Sequence, residues 1–447
     1  MKTSIPAAFD LAAQTITWSI EAVLLGHLSA SALAGVGIAL QIILLTLAIV
    51  LTFVVGASIV ILRYLGKKDY FTANHVFAQS LAMGLMLSVV IAVIWYFGGG
   101  QIFSFIEGDS KSAQIYGLQY LRLIACFAPL IIMNFISLGI LRTIGDSFHT
   151  MVVNVSANII NLVLAPFLIF GWWIFPRLEV TGAAIAVIVS QLFAFVVTFY
   201  LLRSRKVSLF LPFSEFFAPN FKTFVHILKL GFPTTIEQFV WAMGQLILSI
   251  YVAQMGVIYL AVHQIFVRLQ SILTMFFYGL GTGSMSMMGK LLGSSQFKQL
   301  NKTAIISALS GIVLALSLGG IIMLFKYPLL RLFTSDTDVL ELGMNIIFIL
   351  ALVQIPKAAN IIFSNNLRAA ADNTWLMTLA IISVLIFEIT GSYFLAFYLN
   401  LYLIGIWLIQ GLDEFFRLIL NNIRFFRFDW KYGKIEQKVE LEGKKND

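Results

Sequence analysis

Apolar runs long enough to cross a bilayer recur from one end of this 447-residue chain to the other. A spanning helix needs about 20 mostly apolar residues. Breaks marked by charge, Gly or Pro divide the sequence into twelve such runs, near 5–26, 33–62, 76–98, 114–140, 150–173, 181–202, 231–254, 258–289, 302–325, 339–366, 374–398 and 402–423. In a hydrocarbon core the backbone polar groups must be satisfied within the protein, which helices do segment by segment. The expected fold class is therefore an all-α membrane protein of twelve transmembrane helices. Composition agrees, since 60% of residues are hydrophobic and only 11% charged, against about a quarter charged in a soluble domain. Lys2 and the apolar run after it resemble a secretory signal, but Asp10 and Glu21 interrupt that run and no simple cleavage pattern follows. The single Cys126 rules out an intrachain disulfide and a cysteine metal cluster.

Lys and Arg favour cytoplasmic connections, and here they alternate. One set of connections holds Arg63, Lys67, Lys68, Arg142, Arg203, Arg205, Lys206, Lys222, Lys229, Lys290, Lys298, Lys302 and Arg368, the other only Lys111, Arg177, Lys326 and Arg331. Both termini are thus expected on the cytoplasmic side, with the loops near Asp109 and Asp336 outside. The net charge of +8 is mostly this topology signal. Its charges flank spans instead of clustering on a soluble face, so no nucleic-acid partner is expected.

The two halves repeat. At an offset of 227 residues Pro6 falls on Pro233, Asp10 on Glu237, Gly56 on Gly283, Gly66 on Gly293 and Pro129 on Pro356. One deletion later, Leu141-Arg142 falls on Leu367-Arg368 and Asp146 on Asp372. Six helices per half is an even number, so the halves enter the membrane in the same direction. They should form two parallel lobes around a central cleft. The expected division is an N-terminal lobe at 1–202, a cytoplasmic linker at 203–230, a C-terminal lobe at 231–424 and a cytoplasmic tail at 425–447.

Ionisable groups inside a membrane are costly and tend to face the bundle interior or a watered cavity. Asp10, Gln14, Thr17 and Glu21 lie at i, i+4, i+7 and i+11, on one face of the first helix. Asn154, Asn158 and Asn161 form a second stripe in the fifth helix, where the next position is Ala165. The seventh offers Thr234, Gln238, Trp241, Gln245 and Ser249, with Glu237 beside them, and the tenth Lys357, Asn360 and Ser364. Amides and hydroxyls commonly serve as interhelical glue. Carboxylates differ, because a desolvated one favours the state in which a proton or cation neutralises it. Glu21, Asn161, Asn158 and Thr17 are accordingly the expected cation-coupling set. Asp10, Gln14, Asn154, Glu237, Gln238, Trp241, Gln245 and Lys357 are the candidates for the cavity that takes substrate. For Asp10 and Glu237, near helix ends and prolines, helix capping is an equal reading; Glu388 is open between a functional and a paired structural role. The Arg-x-x-x-Asp pattern at Arg142–Asp146 and Arg368–Asp372 falls on short turns and reads as charge pairing at helix ends. Trp241, Met243, Phe276, Phe277, Met285 and Met287 are candidates for an adaptable apolar wall.

These turns and the segments after them resemble the multidrug and toxic compound extrusion (MATE) family of cation-coupled exporters. The pieces are IEAVLLGHLSASALAGVGIAL from Ile20, RYLGKKDYFTA from Arg63, LRTIGDSFHTMVVNVSANIINLVLAPFLIFG from Leu141 and TGAAIAVIVSQ from Thr181, with GFPTTIEQ from Gly231, LAVHQI from Leu260 and LRAAADNT from Leu367 in the second half. The likeness covers nearly the whole chain, although its leader is short for the family. It implies alternating access by two lobes in the cell (inner) membrane, a monomer, and export of amphipathic, neutral or cationic small molecules against entry of protons or sodium ions. No cofactor other than that ion is implied. Several members carry an acid where Glu21 stands. One branch follows the match of Asn161 with an Asp four residues on, where this chain has Ala165, and another has an acid in the tenth helix, where this chain has Lys357. The ammonium of Lys357 either replaces a cation or reaches the interface. A flippase for a lipid-linked precursor is the alternative; it would need a cavity lined with Arg or Lys, and the spans offer mainly Arg122, Arg268 and Lys357. An enzyme is not expected, because the five histidines are scattered and no span carries a hydrolase or metalloprotease motif.

Overall fold

The structure, a computed structural model, describes residues 3–106, 111–172, 175–218 and 220–427. Asp109 and most of the 425–447 stretch lie outside them. The first half folds as α1 (Ser4–Leu28), α2 (Ala30–Gly66), α3 (Tyr70–Ile106), α4 (Lys111–Ile144), α5 (Ser147–Phe170) and α6 (Glu179–Arg203). A short α7 (Phe213–Phe216) lies in the connection. The second half is α8 (Phe221–Met255), α9 (Val257–Gly293), α10 (Phe297–Leu324), a short α11 (Lys326–Arg331), α12 (Thr337–Ala369), α13 (Asn373–Ser383) and α14 (Tyr402–Arg427). Beyond Ser383 the helix of α13 widens into π-helical turns over Val384–Gly391 and Phe394–Tyr398. No strand occurs among the described residues. Ten of these helices are long and apolar enough to cross a membrane. Helices α1 and α14, of 25 and 26 residues, are not among those ten but match them in length. Together they make the expected twelve.

Local chemistry sets the breaks. Ser29 ends α1 and starts α2, its hydroxyl accepting from the Ala32 N–H at 3.0 Å, and Asp336 caps α12 through the N–H groups of Asp338 and Val339. Asn220 does the same for α8, accepting from Lys222 and Thr223 at 2.9 and 3.3 Å. That cap starts α8 at Phe221, so the stretch 203–230 holds a loop, α7 and the first turns of α8. Consequently Pro233 lies inside α8, whereas its repeat mate Pro6 sits in the first turn of α1, where no helical hydrogen bond is lost. The loop is strapped to α3. Gln79 donates to the carbonyls of Glu215 and Ala218 at 2.7 and 2.9 Å and accepts from the Asn220 N–H at 2.6 Å.

Packing repeats with the sequence. In the first half α2 packs on α4, α3 on α4, and α1 on α5; in the second the equivalents are α9 on α12, α10 on α12, and α8 on α13. Between the halves α1 packs on α9 and α2 on α8, two pairs that exchange when the halves are exchanged. This is the pattern of a two-fold axis between parallel lobes. The close approaches between lobes gather at the end that carries Arg63 and Lys290. Added Cβ atoms would stand 2.3 Å from the Lys290 carbonyl oxygen at Gly66, and 2.1 Å from that of Arg63 at Gly293, so this repeat-related pair lets α2 and α9 touch backbone to backbone. Arg63 also donates to the Ala370 carbonyl at 3.2 Å, and Thr52 meets Thr235 at 2.5 Å. The larger hydrophobic core continues here from the first lobe into Met285, Met288, Leu367 and Phe425 of the second. Both ends of the described chain lie at this same end, where Ser4 meets Gly283 and Arg424 pairs with Asp372.

Candidate functional site

The acidic stripe of α1 divides into two environments. At its first turns Asp10 is fully buried and is held by Arg142 of α4, whose Nε and Nη2 both reach Oδ2 at 2.8 Å. Asn154 of α5 donates to the other oxygen at 2.7 Å. Glu237 of α8, its repeat mate, is held in the same way by Arg368 of α12, at 2.6 and 2.7 Å to its two oxygens. The Arg of each Arg-x-x-x-Asp pattern thus locks the first helix of its lobe. The Asp of each turns outward: Asp146 accepts from the Ser208 N–H at 2.6 Å and Asp372 takes Arg424 at 2.7 Å.

Farther along the same face, Glu21 has no such partner. Its carboxyl is 4% exposed and accepts from Asn161 Nδ2 at 3.2 Å, and no ion pair to it occurs among the described residues. Asn161 Oδ1 and Asn158 Nδ2 are buried without a hydrogen-bond partner. Thr17, 3% exposed, spends its hydroxyl on the Ala13 carbonyl of its own helix. Glu21 and Asn161 thus meet between α1 and α5, Thr17 and Asn158 lie one turn before them on their own helices, and the two amides have a carbonyl oxygen and an N–H to spare. Gln14 is half-buried between the two environments.

The second lobe is charged differently. Lys357 of α12 is 7% exposed and pairs with Glu414 of α14 at 3.3 Å, so it is internal and does not reach the interface. Glu414 also takes Arg417 at 3.2 Å and Asn360 at 2.8 Å. Asp413 is bonded to Arg417 at 2.6 Å and to the Ser383 hydroxyl. Gln245 of α8 donates to Glu388, in the π-helical turns that continue α13, at 3.4 Å. Trp241, Gln245, Lys357, Glu388, Asp413 and Glu414 line one small cavity, while Gln238 is half-buried elsewhere on α8. Sequence reasoning passed over Asp413, Glu414 and Arg417. Their signal was available, two adjacent acids with an arginine one turn on, inside an apolar run. Of the proposed apolar wall, Trp241, Met243 and Met287 are exposed, but Phe277 is packed into the core of the second lobe and Met285 into the larger core that continues from the first, and neither takes part in a cavity surface.

The MatE family model matches this chain twice, at residues 6–167 and 233–394, so that the second match begins and ends 227 residues after the first. The chain belongs to the MatE family. Members of this family are multidrug efflux transporters of the membrane and not enzymes. Among MATE relatives, a probable multidrug resistance protein NorM of Thermotoga maritima is 25% identical over 438 residues, covering 96% of this chain and 92% of its own. Solved MATE folds superpose closely. A MOP superfamily transporter from Pyrococcus furiosus, noted for reverse polarity of its binding pocket, gives a TM-score of 0.86 at 22% identity, covering 95% of this chain and 94% of its own. An outward-facing multidrug resistance MATE transporter gives 0.85 at 21% identity and 95% coverage of both chains.

Proposed function

We propose that this MATE protein is a secondary antiporter that exports amphipathic, neutral or cationic small molecules in exchange for protons or sodium ions by alternating access of its lobes. The carrying observation is Glu21, a buried carboxylate that meets one amide and, among the described residues, no basic side chain. Ionised, it is costly in a low-dielectric interior; occupied by a proton or a sodium ion, it is neutralised. Sodium would find further oxygen at Asn161, whose Oδ1 is unpartnered. Contacts that gather at one end of the lobes support a cycle in which ion enters from the opposite end and substrate then competes with it.

Charge supports the cargo class. The internal Lys357 and Arg417 are matched to acids, and Arg122 and Arg268 are exposed, so neither pair supplies the basic lining that a flippase for lipid phosphates needs. The lobes 1–202 and 231–424 are the moving bodies of a monomer in the inner membrane, with both termini cytoplasmic. Single-cysteine labelling tests the orientation, in a background where the exposed native Cys126 is replaced. Positions 67, 222 and 298 should resist an impermeant reagent added outside, and positions 109 and 336 should react; strong labelling at 67 overturns the orientation. Coupling is tested with proteoliposomes carrying a proton or a sodium gradient, one at a time. Efflux driven by one gradient supports antiport, and efflux indifferent to both overturns it.

A further inference from the structure

The first and fifth helices of each lobe meet through a carboxylate and an amide, with the partners exchanged. In the first lobe the acid is on the first helix, Glu21 of α1, and the amide on the fifth, Asn161 of α5, at 3.2 Å. In the second the amide is on the first helix, Gln245 of α8, and the acid on the fifth, Glu388 in the π-helical continuation of α13, at 3.4 Å. The residue types have crossed over while the contact between equivalent helices has stayed.

Glu388 also resembles Glu21 in what it lacks. It is 2% exposed, and its Oε2 has no hydrogen-bond partner. Gln410 of α14, 5% exposed and lining the same cavity, has an unpartnered Nε2. Around Glu388 the charges are Lys357 on α12 and Asp413, Glu414 and Arg417 on α14. Glu414 is matched by Lys357 and Asp413 by Arg417, so with every group ionised Glu388 is the one negative charge left over. Its helix is π-helical over Val384–Gly391, a widening frequently found at functional sites.

We propose that Glu388 is a second coupling-ion site, taking one monovalent cation, a proton or a sodium ion, at Oε2. The proposal rests on the reading of the chain as a cation-coupled antiporter and adds a second ion equivalent to each cycle. One positive charge neutralises the excess; a divalent ion would overshoot it beside a resident ammonium and guanidinium.

The test is the charge displaced by reconstituted protein on a solid-supported membrane, without substrate. It is read after a pH jump at constant sodium and after a sodium jump at constant pH, and the jump that moves charge names the ion. Glu21→Gln and Glu388→Gln should each displace about half the wild-type charge and the double variant none, since each variant removes one ionisable site; Glu388→Asp should keep it. Glu388→Gln leaves two acids against two bases, so wild-type elution on size exclusion is expected. Should that variant fail to fold, Glu21→Gln alone still decides, because with a second site it retains charge movement and without one it has none. Wild-type displacement in folded Glu388→Gln, or none in Glu21→Gln, overturns the second site and leaves the antiport reading intact. No displacement by wild-type protein after either jump defeats both.

Discussion

Asp10 and Glu21 lie on one face of α1, both buried, and their surroundings part them. Arg142 and Asn154 occupy both oxygens of Asp10, whereas Glu21 meets one amide. A buried carboxylate that has a guanidinium is neutral as a pair, and separating the pair leaves an uncompensated charge. Such a group is a fixed fastener between α1 and α4. A buried carboxylate without one is neutralised only by something that arrives, and what arrives can also leave. The same division recurs in the second lobe, between Glu237 with its Arg368 and Glu388 with its amide. Burial alone therefore does not distinguish these acids; whether the charge is matched does.

The largest effect should follow from removing the unmatched group. Glu21→Gln keeps shape and hydrogen bonding but not the charge, so the purified protein should fold while its gradient-driven efflux drops to the level of protein-free liposomes. Wild-type efflux in that variant would return Glu21 to the fasteners. Next comes Arg142→Leu, which strands Asp10 without a cation and should cost about 3–5 kcal/mol, read as a lowered unfolding temperature in detergent. Arg368→Leu should do the same through Glu237. Asp10→Asn should cost less stability and keep a substantial part of the efflux, and combining it with Arg142→Gln should recover stability, because no buried charge then lacks a partner; additive losses in that double-mutant cycle would show the pair is not coupled. The smallest effect is expected at Gln14, half-buried between the two acids, where Gln14→Leu should shift stability by about 0.5 kcal/mol or less and leave efflux unchanged.

Much of the fold was legible in order and spacing. Apolar runs of membrane length gave the helices, and matching Pro, Gly and Arg positions gave the repeat, since both are properties of neighbours along the chain. Helix ends were less legible. The start of α8 at Phe221 depends on an Asn220 cap, and the π-helical widening after Ser383 follows no obvious pattern in the run that contains it. Within the site, the stripe of α1 and the amides of α5 could be read from helical spacing, and their meeting at Glu21 and Asn161 follows from the packing of α1 on α5. The acids of α14 were less legible because their partners Lys357, Asn360 and Ser383 lie on other helices.

The sequence by itself determined that this chain is a duplicated bundle of membrane helices with carboxylates inside it, because hydropathy, periodicity and repeat offset are all linear properties. Only the tertiary structure decided which carboxylates are matched. Arg142 stands 132 residues from Asp10 and Arg368 131 from Glu237, and Glu414 lies 54 residues beyond Asn360. Whether such groups meet depends on which helix faces which and at what depth, and the pairing of distant helices is fixed by how whole lobes pack. The free energy of a buried charge is set by what stands within a few ångströms of it, so a carboxylate on one helix face became a fastener at Asp10 and an unmatched charge at Glu21.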